Sequence, residues 1–348
     1  NGFSNATITT LSNASGGAEK EDIESIKFKA TKFYTSQNRL VTLNDYKAKV
    51  SEYYPNADAV AVWGGEDNDP PEYGKVFISL KPQNSDYLSV AEKTQVQNKL
   101  NQLNMLTVRP VIVDAEIVKI LVTTTFKYNE NETTLSQGEL EALVKNAIIN
   151  FDNTNLNNFD SIFRHSNLVK TIDDADTSII SNITNIRLRK KKNITLNKSE
   201  GLVIEFGNGF FHPHDGHNKD SGGILSTTGF KVDGDTVNTY FFDDDGSGNV
   251  RRYSLSGATR VIADQSAGTI DYTNGKISIN AIKFTSTVNS DTSIDYTVLP
   301  ASDDVVAIRG SLIDISVEDI KVSGEVDTIS SGESSAGVGY TSTSSSSY

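Results

Sequence analysis

Three of the chain's four histidines lie in one short segment, HPHDGHNKD, at His212, His214 and His217. Imidazole rings and carboxylates at this density are the ligands that zinc and other transition metals take in proteins. Pro213 and Gly216 predict a turn here, and a turn gives the three rings no fixed helical or strand spacing. A solvated loop is therefore the favoured interpretation, and a metal site at the three histidines is the alternative.

Two groups of aspartates could also do chemistry. Residues 243–249, DDDGSGN, are similar to a calcium-binding loop but lack the alternate-position ligands and the distal glutamate of an EF-hand. Asp173, Asp174 and Asp176 could supply a carboxylate pair for glycosidic cleavage. Neighbouring carboxylates before a strand more often cap a turn, and no nucleophile elbow, phosphate-binding loop or zinc-protease motif accompanies them. The sequence therefore predicts a hairpin turn at 243–249 and a protein that is not an enzyme and takes no cofactor.

A basic run stands out at Arg187, Arg189 and residues 190–192, because the chain as a whole has a net charge of −13. The favoured interpretation is a solvated strand end, and the alternative is docking to an acidic neighbouring subunit. The negative net charge argues against nucleic acid as the main partner, since phosphates would be repelled.

The rest of the composition narrows the class of protein further. The chain of 348 residues has no cysteine, which removes disulfides and suits assembly in a reducing cytoplasm. No apolar run approaches the roughly 20 residues that span a bilayer, so we expect no membrane partner. The N-terminus lacks the basic start and apolar centre of a signal peptide. Without an initiator methionine, the chain is expected to be a fragment or a processed product.

The stretch from Gln37 to Pro82 places a helix and two strands around a tight turn. Thr42 is a good N-cap, and Asp45 three residues later completes a capping-box pattern with a carboxylate near the positive end of the helix. Apolar residues then recur at helical spacing, which predicts one buried face. The residues of this face are Leu43, Tyr46, Val50 and Tyr53.

Two strands are predicted after this helix, at 57–63 (ADAVAVW) and 75–80 (KVFISL). The connection GGEDNDPPEYG, from Gly64 to Gly74, can continue neither element, because it combines glycine, proline and acidic residues. Its carboxylates could be read as acid–base groups. A rigid surface turn is the favoured interpretation, since prolines fix φ and glycines allow a tight reversal.

The same stretch carries a resemblance to a known family. The segments QNR, VT and DYK, followed by VWGGEDNDPPEYGKVFISLKP, resemble the baseplate wedge subunit of contractile-tailed, T-even-like bacteriophages, in the baseplate J-like group. The resemblance extends upstream through residues 15–30, SGGAEKEDIESIKFKA, and more weakly downstream to about Arg189. The residues of the signature are Asn38, Arg39, Thr42, Asp45, Tyr46, Gly64, Gly65, Pro70, Pro71, Tyr73, Gly74 and Lys75.

The resemblance implies a structural protein, the C-terminal portion of such a wedge subunit, in the tail baseplate of the virion. It implies that copies associate with one another and with other wedge proteins in a ring around the tail hub, which rearranges on contraction. It also implies that most of the N-terminal part of a full subunit is absent from this sequence. The alternative is a receptor- or carbohydrate-binding tail module, which predicts an exposed platform of aromatic and amide side chains around residues 240–253.

Helix and strand signals alternate between residues 31 and 192. This order predicts an α+β domain with a mixed, largely antiparallel sheet and helices on one face. Further helices are predicted at 89–103, 135–151 and 160–168. The β-branched run from Pro110 to Tyr128 predicts two strands or one long bent strand, and another strand is predicted at 178–189.

Short strands and turns dominate from residue 193 to residue 322, which predicts a β-rich domain of the sandwich or barrel-like class. Asn274-Gly275 predicts a type I′ hairpin, because both central positions of that turn need positive φ. Residues 1–30 are predicted to be a linker and lead-in. Residues 323–348 are predicted to be a low-complexity, flexible tail, since they bury too little apolar area to offset their ordering entropy.

Overall fold

The computed structural model describes residues 39–68, 71–82, 87–156, 158–159, 161–217, 223–308 and 310–329, together with residues 23, 26, 27 and 30. The chain forms two compact units, which divide between Ala115 and Glu116. Most of the predicted lead-in and most of the predicted tail lie outside the described residues. No helix within these ranges is long and apolar enough to cross a lipid bilayer.

The first unit is a three-stranded sheet with two helices. Its elements are α1 (Leu43–Tyr53), β1 (Ala57–Gly64), β2 (Lys75–Pro82), α2 (Val90–Asn101) and β3 (Arg109–Asp114). Strands β1 and β2 pair antiparallel, and β3 lies parallel to β2 on its other side. The parallel pairing is possible because α2 carries the chain back to the opposite end of the sheet.

One face of this sheet is buried beneath the helices. Side chains alternate along each strand, so every second residue of β1 and β2 points to the same face. Leu43, predicted to be on the buried face of α1, is instead exposed at the first position of the helix. The buried cluster consists of Leu40, Tyr46, Val50, Val60, Val76, Ile78, Leu80, Leu88, Val96 and Leu100.

The second unit begins with a long strand pair and two helices. Its first elements are β4 (Glu116–Tyr128), α3 (Gln137–Asn155), β5 (Ile162–Phe163), α4 (His165–Asp173) and β6 (Ile179–Asn193). Strands β4 and β6 pair antiparallel over most of their length. Apolar residues of α3 and α4 belong to the same buried cluster as alternate residues of the two strands, so the helices pack on one face of the sheet.

Eleven further strands complete the second unit within the described residues. They are β7 (Ser199–Glu205), β8 (Ser226–Thr227), β9 (Phe230–Val232), β10 (Asp235–Asp244), β11 (Asn249–Ser256), β12 (Thr259–Asp271), β13 (Lys276–Thr287), β14 (Ser293–Val298), β15 (Val305–Val306), β16 (Ser311–Ile315) and β17 (Lys321–Val326). One sheet has the order β16-β4-β6-β14-β8, and β17 pairs with β4 as well. Strands β16 and β17 run parallel to β4, and the other neighbours are antiparallel.

Strands β9 to β13 close into a five-stranded barrel. Their order is β12-β11-β10-β9-β13, and β12 also pairs with β13, so the sheet returns on itself. Strand β7 adds to this barrel through β13. Aromatic rings fill the barrel side of the core, where Phe230 lies 4.6 Å from Phe242 and 5.2 Å from Phe284 between ring centroids. The predicted fold class, α+β with a barrel-like β-rich part, is confirmed.

The structure decides between the two forms predicted for one segment and changes the start of a predicted helix. The run from Pro110 to Tyr128 is two strands, and they belong to different sheets because β3 pairs with β2 and β4 with β6. The helix predicted at 160–168 begins only at His165. Residues 162–163 precede it as a short strand, since their backbone pairs with β15.

The predicted domain boundaries stay predictions. Strand β6 ends at Asn193, where the β-rich domain was predicted to begin, yet one apolar cluster continues from α3 and α4 into the barrel. The last strand extends to Val326, beyond the predicted start of the tail at Ser323. Parallel pairing with residues 123–128 of β4 supplies its backbone hydrogen bonds, which local composition cannot indicate.

The prediction of a type I′ turn at Asn274-Gly275 is wrong. Strand β12 ends at Asp271 and β13 begins at Lys276, so the loop has four residues, and of the pair only Gly275 has a positive φ, 64°. The Asp271 carboxylate accepts hydrogen bonds from the backbone N–H groups of Thr273 and Asn274, both at 3.0 Å, and from the Asn274 amide at 2.7 Å. This local cap stabilises the longer loop.

We expect Asp271→Ala to destabilise the β12–β13 hairpin at pH 7, and the difference from wild type to shrink in acid. Hydrogen bonds, first that of the Asn274 side chain, hold the pKa of Asp271 below its usual range. The carboxylate therefore contributes stability above its unfolded pKa of about 4 and loses it as pH falls through the lower folded pKa. Urea unfolding between pH 7 and pH 2.5 measures the difference.

Asp271→Asn is the matched control for this pH dependence. It keeps an acceptor oxygen but cannot titrate, so it lacks the pH-dependent contribution of the carboxylate, and the difference in stability between Asp271→Asn and Asp271→Ala should not change with pH. An alanine variant that is equally destabilised at both ends of the pH range would contradict the proposed role of the carboxylate.

Candidate functional site

The signature stretch begins with a closed helix cap. Thr42 Oγ1 accepts a hydrogen bond from the Asp45 backbone N–H at 3.3 Å, and Asp45 Oδ2 accepts one from the Thr42 backbone N–H at 2.8 Å. The predicted capping box is therefore confirmed. Tyr46 follows on the buried face of α1, where burial raises the pKa of its phenol. These residues fix the start of the helix and present no reacting group.

The turn between β1 and β2 closes on Gly65. Its carbonyl accepts hydrogen bonds from the backbone N–H groups of Glu72 at 2.7 Å and of Asn68 at 3.3 Å. A Cβ at Gly65 would lie 1.9 Å from the Glu72 carbonyl oxygen, so a side chain here would force the backbone apart. Gly64 differs, because a Cβ there would meet only the movable carboxylate of Glu66.

Aromatic and charged side chains brace the same turn. Trp63 stacks on Phe77 with ring centroids 5.9 Å apart, and its indole N–H donates to Asn68 Oδ1 at 2.8 Å. Lys75 forms an ion pair with Glu72. Because the polar groups of the turn bind one another, the geometry is that of a structural corner between two strands.

The end of the turn reaches the third strand. Gly74 has a φ of 75°, in the region that favours glycine, and its carbonyl accepts a hydrogen bond from the Arg109 backbone N–H at 2.9 Å. The signature residues Arg39, Pro71 and Tyr73 are exposed. Two signature residues lie outside the described residues, Asn38 and Pro70.

The three histidines lie together on one packed turn. His212 stacks on Tyr272 with ring centroids 4.1 Å apart, and its ring is 5.1 Å from that of His217. The ring of His214 is 6.1 Å from that of His217. His214 is exposed, but His217 is buried, so the prediction of a solvated loop is wrong for His217. Packing of the turn against Tyr272 accounts for this burial.

One ring nitrogen of each of these histidines faces a carbonyl group. His212 Nε2 lies 3.1 Å from the Gly246 carbonyl oxygen, and His217 Nδ1 lies 3.0 Å from the His214 carbonyl oxygen. Within the part of the chain that the structure describes, no group of three His, Cys, Asp or Glu side chains is arranged to hold a metal ion. The geometry therefore supports a structural turn.

The first carboxylate of the acidic segment is buried in an ion-pair network. Asp243 is 1% exposed and accepts hydrogen bonds from Arg251 Nε at 2.9 Å and from Arg260 Nη1 at 2.7 Å. Asp243 and Arg251 are directly opposite one another in the β10–β11 hairpin. Sequence reasoning missed this pair, although their positions on either side of the predicted turn could have indicated it.

The other two carboxylates of the segment also bind donors of the chain. Asp244 accepts hydrogen bonds from the Leu225 backbone N–H at 2.9 Å and from the Tyr272 hydroxyl at 2.8 Å. Burial and this carboxylate raise the pKa of Tyr272. Asp245 accepts hydrogen bonds from the backbone and the side-chain amide of Asn249. The three carboxylates thus organise a hairpin, which is the favoured interpretation from the sequence.

The aspartates near the end of α4 serve as caps. Asp173 accepts a hydrogen bond from the Asn182 amide at 2.7 Å, and Asp174 is the C-cap residue of the helix. Asp176 accepts a hydrogen bond from the Ser178 backbone N–H at 2.9 Å. Each carboxylate has a local structural partner or position, and none of these contacts forms a carboxylate pair for acid–base chemistry.

The basic run is largely paired within the chain. Lys190 is buried and donates a hydrogen bond to the Glu205 carbonyl at 2.6 Å, so the prediction of a solvated strand end is wrong for this residue. It points to the buried face because side chains alternate along β6. Arg187 is exposed. The ion pairs of the run are Arg189–Asp319 at 2.6 Å, Lys190–Glu116, and Lys191–Asp291 at 2.8 Å.

The aromatic residues around 240–253 form no exposed platform in the described barrel. Tyr240 and Tyr253 are each less than a tenth exposed. The Arg252 guanidinium lies 5.1 Å from the ring centroid of Tyr240, and that of Arg260 lies 4.8 Å from the ring centroid of Tyr253. These cations cover the rings that a sugar would have to stack on.

Two helix carboxylates that sequence reasoning missed bind the last strands. Asp152 is buried and accepts a hydrogen bond from the Ile315 backbone N–H at 3.0 Å. Glu141 accepts one from the Gly324 backbone N–H at 2.9 Å. The position of Asp152 one turn after the buried Ile148 could have placed it on the buried face, but no local signal indicates its partner.

Two family models match the chain between residues 42 and 191. Residues 42–113 match the family described as "Baseplate structural protein gp6, C-terminal domain I", and residues 117–191 match "Baseplate structural protein gp6, C-terminal domain III". A curated relative, "Baseplate wedge protein gp6" of Enterobacteria phage T4, is 30% identical over 175 residues, which are 50% of this chain and 26% of that protein. The chain thus spans about a quarter of the length of this relative.

A solved structure is also similar over part of the chain. It is a cryo-EM structure of the anti-feeding prophage (AFP) baseplate, 6-fold symmetrised, at 14% identity and a TM-score of 0.36. The similarity covers 49% of this chain and 39% of the chain in that structure.

The two family matches follow the division of the structure. The first ends at residue 113 and the second begins at residue 117, on either side of the boundary between the compact units. The matches therefore support a role for the chain as a structural component of the baseplate of a contractile phage tail. More particularly, residues 42–191 are similar to C-terminal domains of the baseplate wedge protein gp6.

The glycines of the signature turn give a graded prediction. Gly65→Ala is expected to destabilise the first unit by more than about 2 kcal/mol, because the added carbon meets backbone. Gly74→Ala is expected to cost about 1–2 kcal/mol from its positive φ alone. Trp63 is the single tryptophan of the chain and lies in this unit, so its fluorescence during urea unfolding measures both effects.

Gly64→Ala is the matched control for the turn. Its Cβ meets only the movable side chain of Glu66, so its effect should stay within about 1 kcal/mol. Equal unfolding midpoints for the alanine variants at positions 64 and 65 would contradict the role given to the Gly65–Glu72 closure.

The buried Asp243 gives a prediction for the stability of the barrel. Asp243→Ala leaves the Arg251 guanidinium buried without its bidentate partner, which is expected to cost about 3–5 kcal/mol. Asp233→Ala removes an exposed partner of Lys283 and should cost less than about 1 kcal/mol. Urea unfolding followed by far-ultraviolet circular dichroism compares the two, and similar losses would contradict the ranking.

Proposed function

We propose that this chain is the C-terminal portion of a baseplate wedge subunit and that it helps to build the ring around a phage tail hub. The observation that carries the proposal is the pair of consecutive matches to two C-terminal domains of one baseplate protein, each within one compact unit. The signature from Gln37 to Pro82 is the basis for adding the baseplate J-like group to this proposal.

In this role the chain associates with other copies of itself and with other wedge proteins. The name of the T4 relative, a baseplate wedge protein, supports such partners for this chain. The location is the tail baseplate of the virion, after assembly in the host cytoplasm.

The internal bonding of both units suits a part that keeps its shape. The barrel is closed, β4 is paired along both of its edges, and the turn at Gly65 admits no side chain. In an assembly that changes shape, rigid units retain their folds while the contacts between subunits shift. The rearrangement on contraction is therefore assigned to the surfaces between subunits, and the interior of each unit is expected to stay unchanged.

The use of the candidate groups supports a structural role over the alternatives. The carboxylates at 173–176 and 243–245 bind donors of this chain or cap its elements. A receptor- or carbohydrate-binding module would need exposed aromatic rings, but those of Tyr240 and Tyr253 are buried beneath arginines. The baseplate role is therefore the function that the geometry supports best.

Light scattering during gel filtration tests the proposed function. The purified chain has a mass of 37.8 kDa, and we expect a species of at least twice that mass at micromolar concentration. Mixing with neighbouring wedge proteins of the same phage should give a larger co-eluting complex. An unrelated acidic protein of similar size serves as the control for non-specific charge effects. A chain that stays at 37.8 kDa and co-elutes with no wedge protein would rule out this function.

A further inference from the structure

Five large apolar side chains are exposed in the first unit near one loop, at residues 105–108. Large apolar side chains that cluster at a surface commonly mark an interaction site. Leu106 is fully exposed and Tyr73 is 79% exposed, and the other three are each at least 45% exposed. These residues, here called the apolar end, are Val41, Leu43, Tyr73, Met105 and Leu106.

The backbone brings three separate segments to this loop. Leu40 pairs with Asn104, and its N–H donates to the Leu103 carbonyl at 3.1 Å, so residues 41–43 start beside residue 105. The turn that carries Tyr73 approaches the same loop, because a Cβ on Gly74 would lie 3.4 Å from the Thr107 carbonyl oxygen. The tertiary structure, and not the sequence order, therefore gathers the apolar end.

The loop itself holds its apolar side chains outward. The Val108 backbone N–H donates to the Met105 carbonyl at 3.0 Å, and the Asn104 amide donates to the Val108 carbonyl at 2.6 Å. Directly beneath, Leu40 and Leu100 are fully buried. Met105 and Leu106 are not part of the buried cluster of this unit. Packing of the core therefore does not account for the presence of these two apolar residues in the loop.

Two arginines border the apolar end. Arg39 and Arg109 are both exposed, and no ion pair of either is found among the described residues. Two carboxylates of the neighbouring segments have partners within the chain, since Asp45 closes the helix cap and Glu72 pairs with Lys75. Two exposed arginines that have no ion pair among the described residues, beside an apolar surface, favour a partner that brings both apolar and acidic groups.

A second copy of this chain fits the apolar end poorly. In a two-fold symmetric contact the same surface occurs on both sides, so four arginines would lie in one interface. Like charges brought together across an interface oppose association. We propose that the apolar end docks an acidic amphipathic segment of a different protein. This inference rests on the proposed function only for the source of that segment, a neighbouring wedge protein.

The test measures binding of the purified chain to neighbouring wedge proteins of the same phage by biolayer interferometry. Leu106→Asp and Tyr73→Ser should each weaken binding by about tenfold or more, because they remove exposed anchors without touching the core. Arg39→Glu with Arg109→Glu should weaken it by a similar factor at low salt and by less at 0.5 M salt, where charges are screened.

Two matched controls change equally exposed residues of the second unit. Ile183 is 70% exposed, and Lys127 is exposed on the neighbouring strand. Ile183→Asp and Lys127→Glu should leave the affinity within about twofold. The urea midpoint of each variant is checked first, by Trp63 fluorescence for the first unit and by far-ultraviolet circular dichroism for the two controls in the second unit. Tyr73→Ser replaces Leu106→Asp if the latter is destabilised.

A photo-crosslinking residue at position 106 identifies the segment that is bound. A crosslinked peptide from a wedge protein, with net negative charge and apolar residues, supports the proposal. A crosslink to a second copy, to the termini of this chain or to a basic peptide overturns it, as does full binding by Leu106→Asp. If the wild-type chain binds wedge proteins through another surface, only this inference fails. If the wild-type chain binds no wedge protein, both the proposed function and the inference about the apolar end fail.

Discussion

Strand β4 is hydrogen-bonded along both of its edges, and the larger unit depends on this arrangement. Strand β6 pairs with it on one side, while β16 and then β17 pair with it on the other. Strands β16 and β17 lie about 200 residues after β4 in the chain. Their pairing with β4 therefore closes a long loop, and the entropy cost of that closure opposes the formation of these contacts. Two carboxylates of α3 stabilise these pairings: Asp152 accepts a hydrogen bond from a backbone N–H of β16, and Glu141 accepts one from a backbone N–H of β17. The end of the described chain is thus part of the fold's centre.

The first unit depends on a different constraint, the close approach of backbone at Gly65. With no Cβ, the turn can fold its carbonyl onto the Glu72 N–H and set β2 against β1. The same turn directs Tyr73 to the surface beside the loop at residues 105–108. One corner therefore serves both the stability of the sheet and the composition of an exposed surface.

Groups with catalytic potential are used here for structure. Asp243 forms ion pairs with two arginines in the barrel, His212 and His217 pack against Tyr272, and the aspartates around α4 cap local backbone. A buried ion pair often contributes little net stability, whereas the loss of one partner leaves an uncompensated buried charge. Taken with the family matches, this pattern moves the search for function from pockets to surfaces.

The sequence by itself determined the elements with strong local signals. The capping box at Thr42, the two strands around the glycine–proline turn, the α+β class and the β-rich second half all follow from short-range periodicity and turn chemistry. Only the tertiary structure decided that β3 and β4 belong to different sheets, that Lys190 and His217 are buried, and that Asp271 replaces the expected two-residue turn with a longer one. The reason is physical: periodicity reports which side of an element is apolar, whereas pairing, burial of charge and convergence of distant loops depend on partners far away in the chain.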